Sequence, residues 1–223
     1  QFTQSTALMG NDLATFPDFP AEIRAPVGTT YGVSAFQINF ASHDIKTPGD
    51  APDVLVAMNP AALKVHLRDL ANGGTIILNT GAFTDRNIAK AGYKSNPLED
   101  GSLESYRALK IDISKLTLAS VEGLGLSQRD ALRCKNLWTL GLMCWMYDRD
   151  RRPTVDWLNG RFGDRPEIAK ANIAALNAGH AYGETAEIGA DVTTYIIPKA
   201  EAKPGIYRAV TGVETTTWGL LTG

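Results

Sequence analysis

The chain has little of what redox and metal chemistry need. It holds two cysteines in 223 residues, Cys134 and Cys144, and three histidines. Both cysteines fall inside one helical-looking run. Ten positions along a helix span about 15 Å, too far for a disulfide, so both read as buried thiols in a reducing, cytoplasmic setting. An iron–sulphur cluster takes about four thiolates, which this chain cannot supply. His43, His66 and His180 are scattered without the i, i+4 spacing of a helical metal site. They read as surface or internally satisfied groups, with no metal expected.

Other absences narrow the function classes. No apolar run reaches the roughly 20 residues of a membrane span; "LWTLGLMCWMY" is too short and contains Gly141. No secretory signal pattern is present. There is no G-x-S-x-G elbow, no P-loop and no H-E-x-x-H. "GLGLSQRD" is a partial dinucleotide-loop pattern, but it follows a helix rather than a strand. Lys and Arg are spread along a chain of formal net charge −2 and pI near 5.9, so no nucleic-acid footprint is expected. What is present is ordinary globular material: 44% hydrophobic and 21% charged residues.

The patterning predicts an α/β chain. "QFTQSTALMG" reads as the back half of a helix capped by Gly10. With nothing before it, the chain is expected to be a piece of a longer one. "LATFPDF" predicts a short strand interrupted by Pro17, and "VSAFQINFAS" a second strand. "DVLVAM" is a continuous apolar strand of the kind covered on both faces. "PAALKVHLRDLA" predicts a helix with Pro60 at its first position and Asn59 as N-cap. Gly73-Gly74 stops it, and "TIILN" is the next strand, so residues 53–79 form one β-α-β unit, parallel and right-handed. A short helix from Thr84, a strand in "ALKIDIS" and a helix in "KLTLASVEG" follow. Residues 127–147 read as the longest helix, packed on most faces beyond Leu137. "TVDWLNGRFG" and "PEIAKANIAALNAGHAYGE" are two more helices. "DVTTYIIP" allows a strand, "KAEAKPG" a linker, and "TTTWGLLTG" a helix just beginning. The ordering implies a doubly wound, mostly parallel sheet with extra C-terminal helices.

Two places merit attention as sites. Asn59-Pro60 sits at the carboxyl edge of a parallel strand, where open α/β sheets bind ligands. It is either a helix cap or a polar contact at a cofactor or domain interface. Glu22 and Arg24, in "PAEIRAP", point to one face of an extended segment. They form either a surface ion pair or a charged pair facing a substrate channel or a partner domain. From these residues alone the chain is an α/β domain with no self-contained catalytic centre.

The stretch from "NDLATFPDFPAEIRAPVGTTYG" through "DVLVAMNPAALKVHLRDLANGGTIILNT" resembles the gamma-type domain of 2-oxoacid:ferredoxin oxidoreductases. It is most similar to the form fused at the front of the alpha subunit of the 2-oxoglutarate enzymes. "KNLWTLGLMCWMY", "RPEIAKANIAALNAGHAYGET" and "GVETTTWGL" extend the likeness over essentially the whole chain. The resemblance implies residues 1–185 as the gamma-type domain, and residues 186–223 as a linker and the start of a pyrimidine-binding domain. It implies oxidative cleavage of a 2-oxoacid, here 2-oxoglutarate, to succinyl-CoA and carbon dioxide with reduction of ferredoxin. Thiamine diphosphate, Mg2+, a 4Fe-4S cluster and coenzyme A would serve the whole complex. The first three would lie with a thiamine- and cluster-binding beta subunit and the pyrimidine-binding domain. The family domain opens with a strand and a glycine-rich loop; both are missing here, and this sequence begins inside the following helix. No recognised catalytic motif of the family maps onto these residues, so no catalytic residue is assigned to this segment. Glu22, Arg24 and Asn59 stand as coenzyme A or interface candidates. The competing expectation is a stand-alone module for a nucleotide-like ligand on the same fold.

Overall fold

The computed structural model describes residues 1–18, 32–185, 194–203, 205–208 and 210–222. The chain opens with helix α1 (Phe2–Leu8) and an antiparallel ribbon of β1 (Asp12–Asp18) and β2 (Ala35–Ala41). Gly10 turns the chain out of α1 at φ +83°, a conformation open to glycine. Pro17 does not interrupt β1. It pairs opposite Phe36 in an unbroken register. A two-stranded ribbon has only edge strands, and an edge tolerates the missing N–H.

The sheet that organises the domain is parallel, in the order β3 (Val54–Ala57), β4 (Thr75–Asn79), β5 (Arg107–Ile111). α2 (Pro60–His66) links β3 to β4, and α3 (Asp85–Lys90) lies between β4 and β5. Alternation along β4 explains why this strand reads as an unbroken apolar run. Ile76 and Leu78 face a core with Leu63, Leu70, Phe83 and Ile88. Ile77 faces the opposite core with Ile111, Ile113, Trp138 and Leu142. A strand buried on both faces has no solvent side on which to place polar residues.

The second core is built by α4 (Ile113–Ser120), α5 (Gln128–Arg133), α6 (Lys135–Met146) and α8 (Pro166–Glu184), with α7 (Arg152–Arg161) packed against α8. The expected single helix over 127–147 is two helices. At Cys134 the hydrogen bonds shorten to three-residue spans, Cys134 N–H to Ala131 O and Leu137 N–H to Cys134 O, which hitches the axis between α5 and α6. The longest helix is instead α8, with 19 residues. The packing of the second half is as expected, since no residue from Leu137 to Tyr147 is exposed. The most buried stripe of α6 runs through Trp138, Leu142 and Met146, while Asn136 is exposed.

α6 and α8 touch through glycine. A Cβ on Gly141 would lie 1.9 Å from Leu176 O, and one on Gly179 1.8 Å from Trp138 O. Ala171, Ala175, Gly179 and Gly183 recur every fourth residue along the buried face of α8; the two backbones meet directly at Gly141 and Gly179, while Gly183 lies against the ring of Trp145.

Residues 194–198 form no strand, contrary to the allowance for "DVTTYIIP"; the first three residues of that stretch lie outside those described. The segment is held from the side. Tyr195 N–H donates to Met146 O, and Asn11 Nδ2 donates to Pro198 O at 2.6 Å. α9 (Gly212–Thr222) is exposed throughout. Among the described residues no helix is long and apolar enough to cross a membrane.

Candidate functional site

The carboxyl edge of the parallel sheet is where open α/β folds place ligands. Here each strand ends in a polar turn. After β3, Asn59 is extended (φ −161°, ψ 165°), and its Oδ1 accepts from Ala62 N–H at 2.9 Å with Pro60 in the first turn. Its Nδ2 donates to Gly32 O at 3.0 Å. Asn59 is therefore a cap, as expected, and also a tie to the chain that enters β2. Gly32 has φ +78°, and a Cβ there would meet Asn59 Nδ2 at 2.8 Å.

After β4 comes a residue the sequence reading passed over. Asn79 is fully buried, and its Nδ2 donates to Met58 O and Ser114 Oγ while its Oδ1 accepts from Ser114 N–H at 3.1 Å. It joins the end of β3 to the start of α4. The signal was available: an amide closing the apolar run "TIILN" has to find partners once buried. After β5, Asp112 caps α4 by accepting from Lys115 N–H at 2.9 Å. Its carboxylate lies against Gly81, where an added Cβ would fall 2.2 Å from Asp112 Oδ1. The edge is thus a rigid frame whose side-chain amides and caps are occupied by the chain's own groups. Among the described residues it presents no nucleophile activated by a neighbouring base.

Glu22 and Arg24 lie outside the described residues, so their relation to Asn59 enters only through the chain connection at Gly32. A shallow cleft of about 160 Å³ lies beside β2 and the start of β3, bordered by Phe40, Gly49, Asp53, Tyr147 and Tyr195. Small-molecule sites generally exceed about 300 Å³, so this cleft is too small for a cofactor. Its floor is aromatic. Tyr147 stacks on Tyr195 at 5.0 Å and meets Phe2 and Phe40 edge-on, with the Arg149 guanidinium over Phe40 at 5.2 Å. Burial raises the Tyr147 phenol far above its ordinary range and lowers Arg149.

The thiols are poor nucleophiles. Burial raises Cys144 to about 11, and burial with Asp130 nearby raises Cys134. Both are free and buried. His180 is lowered by burial, then by Arg151, and rests 3.5 Å from Glu184. His43 is exposed, and His66 Nε2 contacts Val33 O at 2.7 Å. No group of three or more His, Cys, Asp or Glu side chains suited to a metal ion occurs among the described residues.

Comparison with known proteins places this geometry. The family described as Pyruvate ferredoxin/flavodoxin oxidoreductase matches residues 1–182. A similar curated protein, 2-oxoglutarate oxidoreductase subunit KorA of Mycobacterium tuberculosis, is 51% identical over 221 residues. The match covers 99% of this chain and 34% of that protein, so the chain spans about a third of the relative's length. A solved structure, the 2-oxoglutarate:ferredoxin oxidoreductase from Magnetococcus marinus with 2-oxoglutarate, coenzyme A and succinyl-CoA bound, superposes with a TM-score of 0.62 at 19% identity. That match covers 90% of this chain and 30% of the other. At that identity the likeness is one of fold.

Proposed function

Because the chain belongs to the pyruvate ferredoxin/flavodoxin oxidoreductase family, we propose that it is the non-catalytic gamma-type part of a 2-oxoacid:ferredoxin oxidoreductase. The complex would convert 2-oxoglutarate and coenzyme A to succinyl-CoA and carbon dioxide, passing electrons to ferredoxin. The observation that carries this reading is the 51% identity, over nearly the whole chain, to a subunit named for 2-oxoglutarate. In this reading residues 1–185 are the gamma-type domain, and residues 186–223 are the linker and the start of a pyrimidine-binding domain. The complex works in the cytoplasm, where free thiols stay reduced.

The donor set of this chain does not fit the redox cofactors. Its two thiols are buried in helical segments with raised pKa, and a cluster needs about four thiolates. Thiamine diphosphate, Mg2+ and the 4Fe-4S cluster are accordingly assigned to the pyrimidine-binding domain and a beta subunit, and no step is routed through this segment. Its own contribution is to assembly and to coenzyme A access. Arg24 would meet the anionic phosphates of coenzyme A, with Glu22 orienting the guanidinium. Asn59 supports this arrangement by holding Gly32, at the end of the connection that carries both residues.

The test is an assay of the full complex with 2-oxoglutarate and pyruvate side by side, using a low-potential acceptor, with Arg24→Ala beside the parent. Turnover on 2-oxoglutarate, and a KM for coenzyme A that rises in the variant while the 2-oxoacid KM does not, is the expected result. Preference for pyruvate would overturn the substrate, and unchanged constants would return Glu22 and Arg24 to a surface ion pair.

A further inference from the structure

The cleft beside β2 and the start of β3 carries a carboxylate without a partner. Its walls are fixed by hydrogen bonds made inside the chain. Gln37 Nε2 donates to Pro48 O at 2.8 Å and to Gly49 O at 2.7 Å, and Asn39 Nδ2 donates to Thr47 O at 3.0 Å, so the 47–49 loop is pinned to β2. Ala71 N–H to Pro52 O and Thr75 N–H to Asp53 O, both 2.9 Å, hold the next residues against the parallel sheet. Tyr195 is held by its own N–H on Met146 O at 2.8 Å and stacks on Tyr147 at 5.0 Å. Asp53 lines the cleft with Phe40, Tyr147 and Tyr195. Its charge adds to the rise of the Tyr147 phenol, behind burial and Tyr195. Among the described residues its carboxylate has no ion-pair or hydrogen-bond partner. The Arg149 guanidinium does not answer it: that group is buried over Phe40 at 5.2 Å and does not line the cleft.

A carboxylate among aromatic walls selects a cation, because it supplies the charge and the rings attract an ammonium within about 6 Å. A volume of about 160 Å³ is too small for a cofactor and takes the end of one long side chain. Lysine suits it, being a compact ammonium on a slim stem. The rim is apolar, as the centre of a protein contact is: Phe36 shares the face of β2 that carries Phe40 and is 51% exposed. We infer that this cleft anchors a lysine of a second polypeptide in the complex, with the ammonium paired to Asp53 and set against Tyr147 and Tyr195. The walls are already in place, so little ordering is needed on binding. The inference rests on the reading of this chain as part of a multi-subunit complex.

The experiment treats the full complex with a water-soluble carbodiimide and glycinamide. The reagent joins a carboxylate to a lysine in direct contact, and glycinamide amidates carboxylates that are free. Parent and Asp53→Asn are compared by peptide mass spectrometry, and the subunit dissociation constant is measured for each. Asp53 should be joined to a lysine of another polypeptide, while the exposed Asp50 takes glycinamide. In Asp53→Asn that link should vanish and the dissociation constant should rise about tenfold, the scale of one charged hydrogen bond. Amide exchange across β3 and β4 should stay at the parent rate, which separates a lost contact from a lost fold. Glycinamide on Asp53 as freely as on Asp50 overturns the anchor. So does a link only to a lysine of its own polypeptide, such as Lys46, or an unchanged dissociation constant. A parent protein that carries no second polypeptide in native mass spectrometry overturns the complex itself, and with it the anchor.

Discussion

Gly179→Ala is the substitution whose outcome the fold decides most sharply. On an open helix surface, glycine to alanine stabilises by about 1 kcal/mol, because alanine is the better helix former. In α8 the new methyl would sit 1.8 Å from Trp138 O, about 1.6 Å inside ordinary contact at 3.4 Å. The obstacle is backbone, so no side chain can rotate away; α6 and α8 must separate. Separation loosens the contacts of Trp138, Leu142, Ala175 and Leu176, all at or below 1% exposure. Overpacking alone costs about 1–3 kcal/mol when neighbours adjust, and here the two most extensively packed helices must part, so a net loss of about 3 kcal/mol is expected. For a chain of this size that is roughly 6–12 °C in Tm. Gly160→Ala in α7 is the control, with nothing within 4 Å of the added Cβ, and should raise stability by about 1 kcal/mol. Thermal and denaturant unfolding of the two variants should therefore move in opposite directions. If Gly179→Ala is neutral or stabilising, the close approach of α6 and α8 is wrong.

Trp138→Ala should cost about 3–5 kcal/mol in denaturant unfolding, since the indole is 1% exposed; a loss below about 1 kcal/mol would mean the ring has another environment. Asn59→Ala should cost about 1–2 kcal/mol, because it removes both the α2 cap and the bond to Gly32; an unchanged Tm would deny the cap. Burial, then Asp100, raises Tyr93 from 10.0 to about 12. The folded state thus holds that proton longer than the unfolded chain does, and stability should fall as pH rises from about 10 to about 12. Ultraviolet titration of the phenolate, compared with Tyr93→Phe, checks the window. Neither thiol should react with a thiol reagent near pH 8 until the protein unfolds, since both are buried with raised pKa.

The parallel sheet was legible because burial on both faces leaves a strand no choice of residue. Val54–Ala57 and Ile76–Leu78 are apolar throughout, and the Asn-Pro that opens α2 is local chemistry that acts without the rest of the fold. What local pattern could not convey was anything decided by a distant backbone. The hitch at Cys134 has no glycine or proline to announce it; it follows from how α5 and α6 lie against α4 and α8. The glycines of α6 and α8 are a contact between the helices, which no neighbouring residue in the sequence announces. Pro17 looked like an interruption, because a strand edge is a property of the sheet and not of the residue.

The same division runs through the site. Asn59 could be read as a cap from its neighbours, since its first partner, Ala62, lies three residues away. Its second partner, Gly32, lies 27 residues back, and the His66 contact with Val33 spans 33. Asn79 reaches 35 residues forward to Ser114. The Asn59 and Asn79 bonds build the carboxyl edge of the sheet, and each consumes the polar group that a ligand would otherwise use. A frame satisfied in this way is poorly suited to chemistry of its own and well suited to holding a neighbouring connection in place.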